Sequence, residues 1–557
     1  MSQDTDVRAA DPVLGRLAEA ILIPPFPGLS APGWMLDALG RGLAGVTLFG
    51  QNISAPDQVS ALTAMLRSAA PGDDPVIAID EEGGDVTRVA YADGSPYPGN
   101  AALGAVDDVA LTQAVYRAIG ADLAALGINF DLAPCADVLG TADSPAVGTR
   151  SFGADTGLVS RHTAAAVAGL QGAGVAACTK HFPGHGRTGT DSHEAIATIE
   201  GGLADLRLVD LPPFEAAIRA GTLAIMPSHL RVPELTGDLP ATVSAAAITG
   251  LLRGELGYTG VIVSDALEMR ATRDRFGIPG AAVLAVAAGT DLLCLGRDGS
   301  EDDYLAVRDA LVAAVRDGAL DGERLEEAAD RVARLRGGLA RARSAAPVGD
   351  SAGPGVGFGI GPAVGLVAAR RAVRISGPHR TLSHPVIIEV EPRENIAAGQ
   401  FGWGLGPWAP AGSVHRVSAS GRLLNGAGLG LADPARSGPA DRGPADEGSA
   451  DGDRADGGAA DGDRADGGAA DGDRVDAAAI LAAAAGRSLV AVVRDAHRDE
   501  QTRSLVAALL AARPDLILVE MGLPFWRPPE GTSYLATYGA SRASAHAAAE
   551  LLGLASA

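Results

Sequence analysis

The sequence predicts an α/β protein: a (β/α)8 TIM barrel followed by a second α/β sandwich domain. Three observations carry this. Eight short apolar runs recur in the first three hundred residues, separated by Ala/Leu-rich stretches of helical period. The runs are apolar at consecutive rather than alternate positions, the pattern of parallel strands covered on both faces. And 557 residues exceed what one hydrophobic core usually supports, so a second domain is expected.

The runs are AILIPPF from Ala20, GVTLF from Gly45, PVIAID from Pro75 and INFDLAP from Ile128. VAACTKHF from Val175, LAIMPSHL from Leu223, GVIVSD from Gly260 and DLLCLG from Asp291 follow. Helices are predicted over Pro56–Ala70, Val109–Leu126, Gly157–Ala173 and Ala245–Leu256; Pro56 suits the first position of a helix. Eight β/α units in about 300 residues match a barrel in count and length. A doubly wound open sheet is the alternative, because periodicity alone does not close a ring.

Glu301–Arg343 reads as the helical exit from the barrel, which is placed at residues 1–344. The Gly/Pro/Ser-rich stretch from Ala345 opens a linker, residues 345–365. The second domain, residues 366–557, shows strand-like HPVIIEVE at His384, SLVAVVR at Ser488 and DLILVEMG at Asp515, with a helix over Asp499–Ala512. Inside it, DGDRADGGAA occurs at Asp451 and again at Asp461. Residues 432–476 carry thirteen acidic residues against five arginines, so this insert is expected to be a disordered loop. Its DGD repeats lack the closing Glu of an EF-hand, which argues against a calcium loop.

The net charge of -23 argues against nucleic-acid or anionic-membrane partners, which require a basic surface. Cys135, Cys178 and Cys294 are too few and too scattered for a disulfide framework, and no CxxC pattern suggests structural zinc. The N-terminus has neither a basic leader nor a continuous apolar stretch, so a cytoplasmic location is expected. Aromatic residues make up only 4% of the chain, so the core must be built from Ala, Val and Leu.

Chemistry-bearing residues gather at the C-terminal ends of the predicted strands, where a barrel carries its catalytic loops. The third strand ends at Asp80, followed by Glu81-Glu82-Gly83-Gly84-Asp85-Val86-Thr87-Arg88, a tight polar loop in which Asp80 can accept two hydroxyls, or which reads equally as a turn of solvated acids. The fourth leads to Asp137 and then Arg150, whose guanidinium suits a forked oxygen contact. The fifth runs into Lys180-His181-Phe182-Pro183-Gly184-His185-Gly186-Arg187-Thr188-Gly189-Thr190-Asp191-Ser192-His193. Zinc binding by His181, His185 and His193 is disfavoured, because Pro183, Gly184 and Gly186 break any common helical face and Lys180 adds positive charge. The seventh strand ends at Asp265, which as a lone residue reads equally as a helix N-cap.

The Lys180–His193 segment is similar to the KHFPGHGxxxxDSH motif of the β-N-acetylhexosaminidase (NagZ-like) branch of glycoside hydrolase family 3, at every defined position. GVIVSDALEM resembles that family's nucleophile motif, and VGTRSF its GxRSF loop. The likeness covers residues 13–340 well and extends less specifically over the second domain. It implies a retaining enzyme with Asp265 as nucleophile, His193 as general acid/base and Asp191 orienting the imidazole. Asp80, Arg150, Lys180 and His181 are implied as sugar ligands, Asp137 as a brace for Lys180 or Arg150, and no cofactor or metal. Relatives often read DxEGGRVQR where this chain has Asp85, so a reversed charge is expected near the mouth.

The resemblance implies release of terminal β-linked N-acetylglucosamine from cell-wall or chitin fragments, with a small carbohydrate as partner. Phosphate as acceptor is an alternative, because a histidine acid/base leaves no anion to repel it; a β-glucosidase is another. A non-catalytic sugar-binding protein is the reading of a different class, against which intact Asp265, His193 and Asp191 argue. A monomer or homodimer is expected.

Overall fold

The computed structural model describes residues 12–70, 72, 74–140, 144–189, 196–199, 201–345, 362–378, 382–392, 397–399, 401–421, 424 and 477–556. Each of the eight apolar runs forms a strand: β1 (Leu22–Ile23), β2 (Gly45–Leu48), β3 (Val76–Ile79), β4 (Phe130–Asp131) and β5 (Ala176–Phe182) come first. After a two-residue strand β6 (Ala197–Thr198) come β7 (Ala224–Pro227), its neighbour β8 (Leu230–Arg231), β9 (Val261–Ile262) and β10 (Leu293–Cys294). β6 and β8 pair with each other outside the ring.

Six strands run parallel in the order β2-β3-β4-β5-β7-β9, and β10 pairs parallel with β1. A parallel bridge between Val263 and Leu292 carries the ring from β9 to β10, and the Thr47 N–H donates to the Pro24 carbonyl at 3.4 Å between β2 and β1. The sheet therefore closes, which decides for the barrel over the open sheet. Every residue of β2, β3, β5 and β7 is buried, as continuous apolar strands inside a helical shell require.

The helices start where their caps stand. Pro56 opens Pro56–Ala69; the Asp108 carboxylate accepts from the Leu111 N–H and opens Val109–Ala125; Asp155 does the same for Thr156–Gly172 through Leu158. The segment Ala246–Glu255 is helical as expected but winds as a π-helix. The exit segment is two helices, Glu301–Arg316 and Gly322–Ala345; Asp321 starts the second by accepting the Glu323 N–H at 3.0 Å. At the N-terminal face, the buried Asp291 gathers Arg253, Arg324 and Arg331, pinning two outer helices to the base of β10. No single helix among the described residues is long and apolar enough to cross a membrane.

The second domain is a six-stranded sheet of β11 (Arg374–Ser376), β12 (Val386–Val390), β13 (Val414–Val417), β14 (Leu489–Val493), β15 (Ile517–Glu520) and β16 (Ser533–Ala536). Their order is β11-β16-β15-β14-β12-β13, and all pairs are parallel except β11 with β16. The buried strands β12, β14 and β15 were legible as apolar runs. The edges β11 (RIS) and β13 (VHRV) were not, because an edge strand keeps polar residues towards water. Residues 346–361 of the expected linker, and the acidic insert 432–476, lie outside the described residues; 362–365 already belong to a helix, Pro362–Ala372.

This helix packs on the barrel helices Asn100–Val106 and Val109–Ala125 and on Arg542–Leu551 of the second domain. A Cβ on Gly365 would stand 2.1 Å from the Pro96 carbonyl oxygen, so only glycine allows so close a contact. Asp85 lies in the same interface. It is buried, accepting from the Thr149 hydroxyl (2.7 Å), Arg494 Nη2 (3.0 Å) and the Ala540 N–H (2.8 Å). The expected charge reversal at the cavity mouth is therefore corrected: Asp85 points across to the second domain, where Arg494 balances it. Val86 beside it packs into the apolar cluster of Ile387, Phe401 and Met521.

Removing one partner of a buried ion pair strands the other charge. Arg494→Ala is expected to lower stability by roughly 3 kcal/mol, read as a drop in Tm, and adding Asp85→Asn to it should recover part of the loss. Equal Tm values for the single and double variants would mean that the pair is not what matters there.

Candidate active site

The C-terminal face of the barrel opens on a cavity of about 470 Å³. Asp80 stands just past β3, Lys180 and His181 at the end of β5, and Asp265 three residues past β9, so all four line it. Arg150 reaches the same cavity from the loop after β4. The loop carrying Asp80 is as tight as its glycines suggested. Gly84 has φ +63, and a Cβ there would stand 2.4 Å from the Gly99 Cα.

The residue that organises these groups is Glu82. Its carboxylate accepts from Arg150 Nε (2.9 Å) and Nη2 (2.7 Å), and lies 2.8 Å from Lys180 Nζ. Lys180 also donates to Asp80 at 2.6 Å. Arg150 further donates from Nη1 to the Ala146 carbonyl and approaches His181 Nε2 at 3.2 Å. Two carboxylates and two cations thus interlock. Lys180 and Arg150 each keep one N–H that no described residue takes up, and the cavity is where those protons can go.

Burial alone would raise the Glu82 pKa, but the charges of Arg150 and Lys180 and their hydrogen bonds outweigh it and hold Glu82 well below the usual carboxylate range. Burial would likewise strip the proton from Lys180, yet Asp80 and Glu82 push its pKa above the ordinary lysine value. Both cations therefore stay charged in a dry setting. Next to Glu82, Glu81 has the opposite fate. It faces inward, accepting from the Thr87 hydroxyl and the Arg88 and Val89 N–H groups, and burial pushes its pKa up to about 7.

Asp137 does not brace Lys180 or Arg150 as expected. It is fully buried and accepts from His181 Nδ1 at 2.7 Å, the His185 N–H at 2.6 Å and Cys135 Sγ at 3.0 Å. Burial opposes its ionisation, but His181, His185 and Cys135 together hold its pKa below the usual range. Ligand atoms of Cys135, Asp137 and His181 lie within 4.8 Å of one another, the spacing of a metal site. The hydrogen bonds among them account for that proximity without an ion. Asp137 instead orients His181, leaving Nε2 towards Arg150.

Asp265 is half-buried, and its Oδ1 accepts the Ala266 N–H at 2.8 Å. His229 supports that turn from below: Nε2 donates to the Ala266 carbonyl at 2.8 Å, and Nδ1 meets the Thr242 hydroxyl at 2.9 Å. Thr190, Asp191, Ser192 and His193 lie outside the described residues. The chain enters that stretch from a fixed point: Arg187 donates to the buried Asp210 at 2.6 Å.

The family described as glycosyl hydrolase family 3 N terminal domain matches residues 38–335. The chain belongs to this family. A beta-hexosaminidase of Stenotrophomonas maltophilia (strain K279a) is 38% identical over 256 residues, covering 45% of this chain and 75% of that one. Beta-hexosaminidase A of Pseudoalteromonas piscicida is 32% identical over 336 residues, 56% of each chain, so the chain spans about half the length of that relative. Among solved structures, a glycoside hydrolase family 3 beta-N-acetylglucosaminidase from Paenibacillus sp. str. FPU-7 superposes with a TM-score of 0.77 at 29% identity, over 97% of both chains.

Sequence reasoning had named Asp80, Arg150, Lys180, His181 and Asp265, and all five meet in one cavity. Two residues were not singled out in the sequence: Glu82, whose only signal was its place between Asp80 and the glycine pair, and His229.

Two predictions follow from the carboxylates. Glu82→Gln leaves Lys180 and Arg150 without their shared counter-charge, and glycosidase kcat/KM should fall roughly a hundredfold, as displaced positioning groups cost. A variant within twofold of the wild type would show that Asp80 alone holds Lys180. Glu81 binds its proton more tightly folded than unfolded, where it titrates near the ordinary glutamate value of 4.5. Its stabilising contribution is complete below that pH and is lost as pH rises to about 7. The Tm of Glu81→Gln relative to wild type should therefore climb across that window and level off above it; a flat difference would contradict the assignment.

Proposed function

We propose that this chain is a retaining glycosidase releasing terminal β-linked N-acetylglucosamine through a covalent intermediate on Asp265. The observation that carries the reading is the placement of Asp265 in one cavity with the interlocked Asp80, Glu82, Lys180 and Arg150. Such a lattice suits a neutral, hydroxyl-rich ligand, because its charges cancel internally and the spare N–H groups and the Asp80 oxygens remain for hydroxyls.

In the first step Asp265 attacks the anomeric carbon as the glycosidic bond breaks, and His193 delivers its proton to the leaving oxygen. Asp191 orients that imidazole and stabilises its charged form. In the second step water gives a proton to His193 and attacks the same carbon, freeing the sugar and restoring the Asp265 carboxylate. The roles of His193 and Asp191 rest on the motif that contains them. His181, held by Asp137, and Arg150 bind the sugar hydroxyls beside Lys180 and Asp80. The names of the relatives support the N-acetylglucosamine specificity. Cell-wall or chitin fragments as the source, and a cytoplasmic setting, belong to this proposal as well.

Purified protein should release the phenol from an aryl β-N-acetylglucosaminide between pH 5 and 8, and Asp265→Ala should abolish this while keeping the wild-type Tm. Product analysis with and without phosphate should yield free N-acetylglucosamine in both. A sugar 1-phosphate, or faster turnover of the aryl glucoside, would overturn the proposal in favour of a phosphorylase or a glucosidase respectively.

A further inference from the structure

Glu81 takes no part in the lattice that lines the cavity, yet its two chain neighbours, Asp80 and Glu82, both do. Its side chain closes its own loop instead. Oε2 accepts from the Thr87 hydroxyl at 3.0 Å, the Arg88 N–H at 2.8 Å and the Val89 N–H at 3.1 Å. Thr87 carries the contact on by accepting the Ala90 N–H at 3.1 Å. Within the same loop the Glu82 N–H donates to the Val86 carbonyl at 3.1 Å. Residues 81–89 are therefore drawn round a single carboxyl group, and the positions of Asp80 and Glu82 depend on it.

The surroundings of that carboxyl are poor in compensating charge. Behind it, at the end of β4, the buried Asp131 accepts the Glu81 N–H at 3.0 Å, and burial pushes the Asp131 carboxyl up as well. On another side Glu81 shares a small cavity of about 10 Å³ with Asp122 of the helix Val109–Ala125, whose carboxyl already receives the Tyr97 hydroxyl at 2.6 Å. Asp80 and Glu82 flank it in the chain. Arg88 is the cation that faces it, and that guanidinium is engaged at the Ala397 and Ala398 carbonyls. An ionised Glu81 adds one more anion to this group of acids, and a buried charge so poorly matched draws water in or moves out.

We propose that Glu81 is a positioning residue whose proton keeps the loop closed and holds Asp80 and Glu82 in place for the sugar, so that sugar affinity falls as Glu81 ionises. This deepens the glycosidase reading and rests on it. A carboxyl pushed up to about 7 is mostly protonated at pH 6 and mostly ionised at pH 8. Affinity scales with the competent fraction, so it should weaken about tenfold between those two values.

The readout is the inhibition constant of free N-acetylglucosamine against hydrolysis of the aryl β-N-acetylglucosaminide. In the wild type it should rise about tenfold from pH 6 to pH 8. In Glu81→Gln, whose amide oxygen accepts the same donors and never ionises, it should stay level. Thr87→Val removes a hydrogen bond that favours the ionised form, and should move the midpoint to higher pH. A wild-type constant that ignores pH, or a Glu81→Gln variant that follows the wild-type curve, overturns the proposal while leaving the glycosidase reading intact. Should Glu81→Gln fail to fold, Thr87→Val decides alone, and a midpoint unmoved or lowered overturns the proposal. A wild-type protein inert on the aryl glycoside overturns both.

Discussion

Two buried cations cannot stand side by side unless something cancels their charge, and at this barrel mouth that group is Glu82. It accepts twice from Arg150 and lies 2.8 Å from Lys180, and burial, which ordinarily drives a carboxyl to keep its proton, loses to those two charges. The consequences spread outward. Lys180, held by Glu82, is aimed at Asp80; Arg150, held by Glu82, meets His181; His181 is fixed from behind by Asp137. Three strand ends of the barrel, those of β3, β4 and β5, are thereby tied to one carboxylate.

The loop from Asp80 to Arg88 distributes five ionisable side chains to five surroundings. Asp80 faces the cavity, Glu81 turns into the barrel wall, and Glu82 holds the cations. Asp85 crosses to Arg494 of the second domain, and Arg88 reaches the carbonyls of Ala397 and Ala398. Glu81 and Glu82 are adjacent in the chain and both buried, yet their pKa values move in opposite directions, because burial outweighs the hydrogen bonds and the Arg88 charge at Glu81, whereas Arg150 and Lys180 outweigh it at Glu82. The same loop therefore carries the cavity-facing carboxylate and the anchor of the second domain. Whatever loosens the interface at Asp85 bears on the position of Asp80.

Most of the barrel was legible because its signal is local. A strand buried on both faces is a run of apolar residues, and eight such runs appeared at the right spacing. The edges of the second sheet escaped notice for the same reason, since RIS is exposed at all three positions and VHRV is fully buried only at its last residue, so neither is a continuous apolar run. Among site residues, Asp265 and Lys180 were legible from strand-end position and a long motif. Glu82 was not, because an acid between an acid and two glycines looks like a solvated turn until its partners, 68 and 98 residues away in number, are seen beside it. The role of Asp85 was misread because its partner lies 409 residues along the chain.

What the sequence determined by itself was the class of architecture, the strand-end carboxylates that line the cavity and the family: periodicity, strand-end position and an unbroken motif are properties of neighbouring residues. The tertiary structure decided closure of the ring, the pairing of Glu82 with both cations, and the turning of Asp85 away from the cavity. Each depends on the energy of a contact between residues far apart in the chain, where burial and charge act through space and leave no trace in local order.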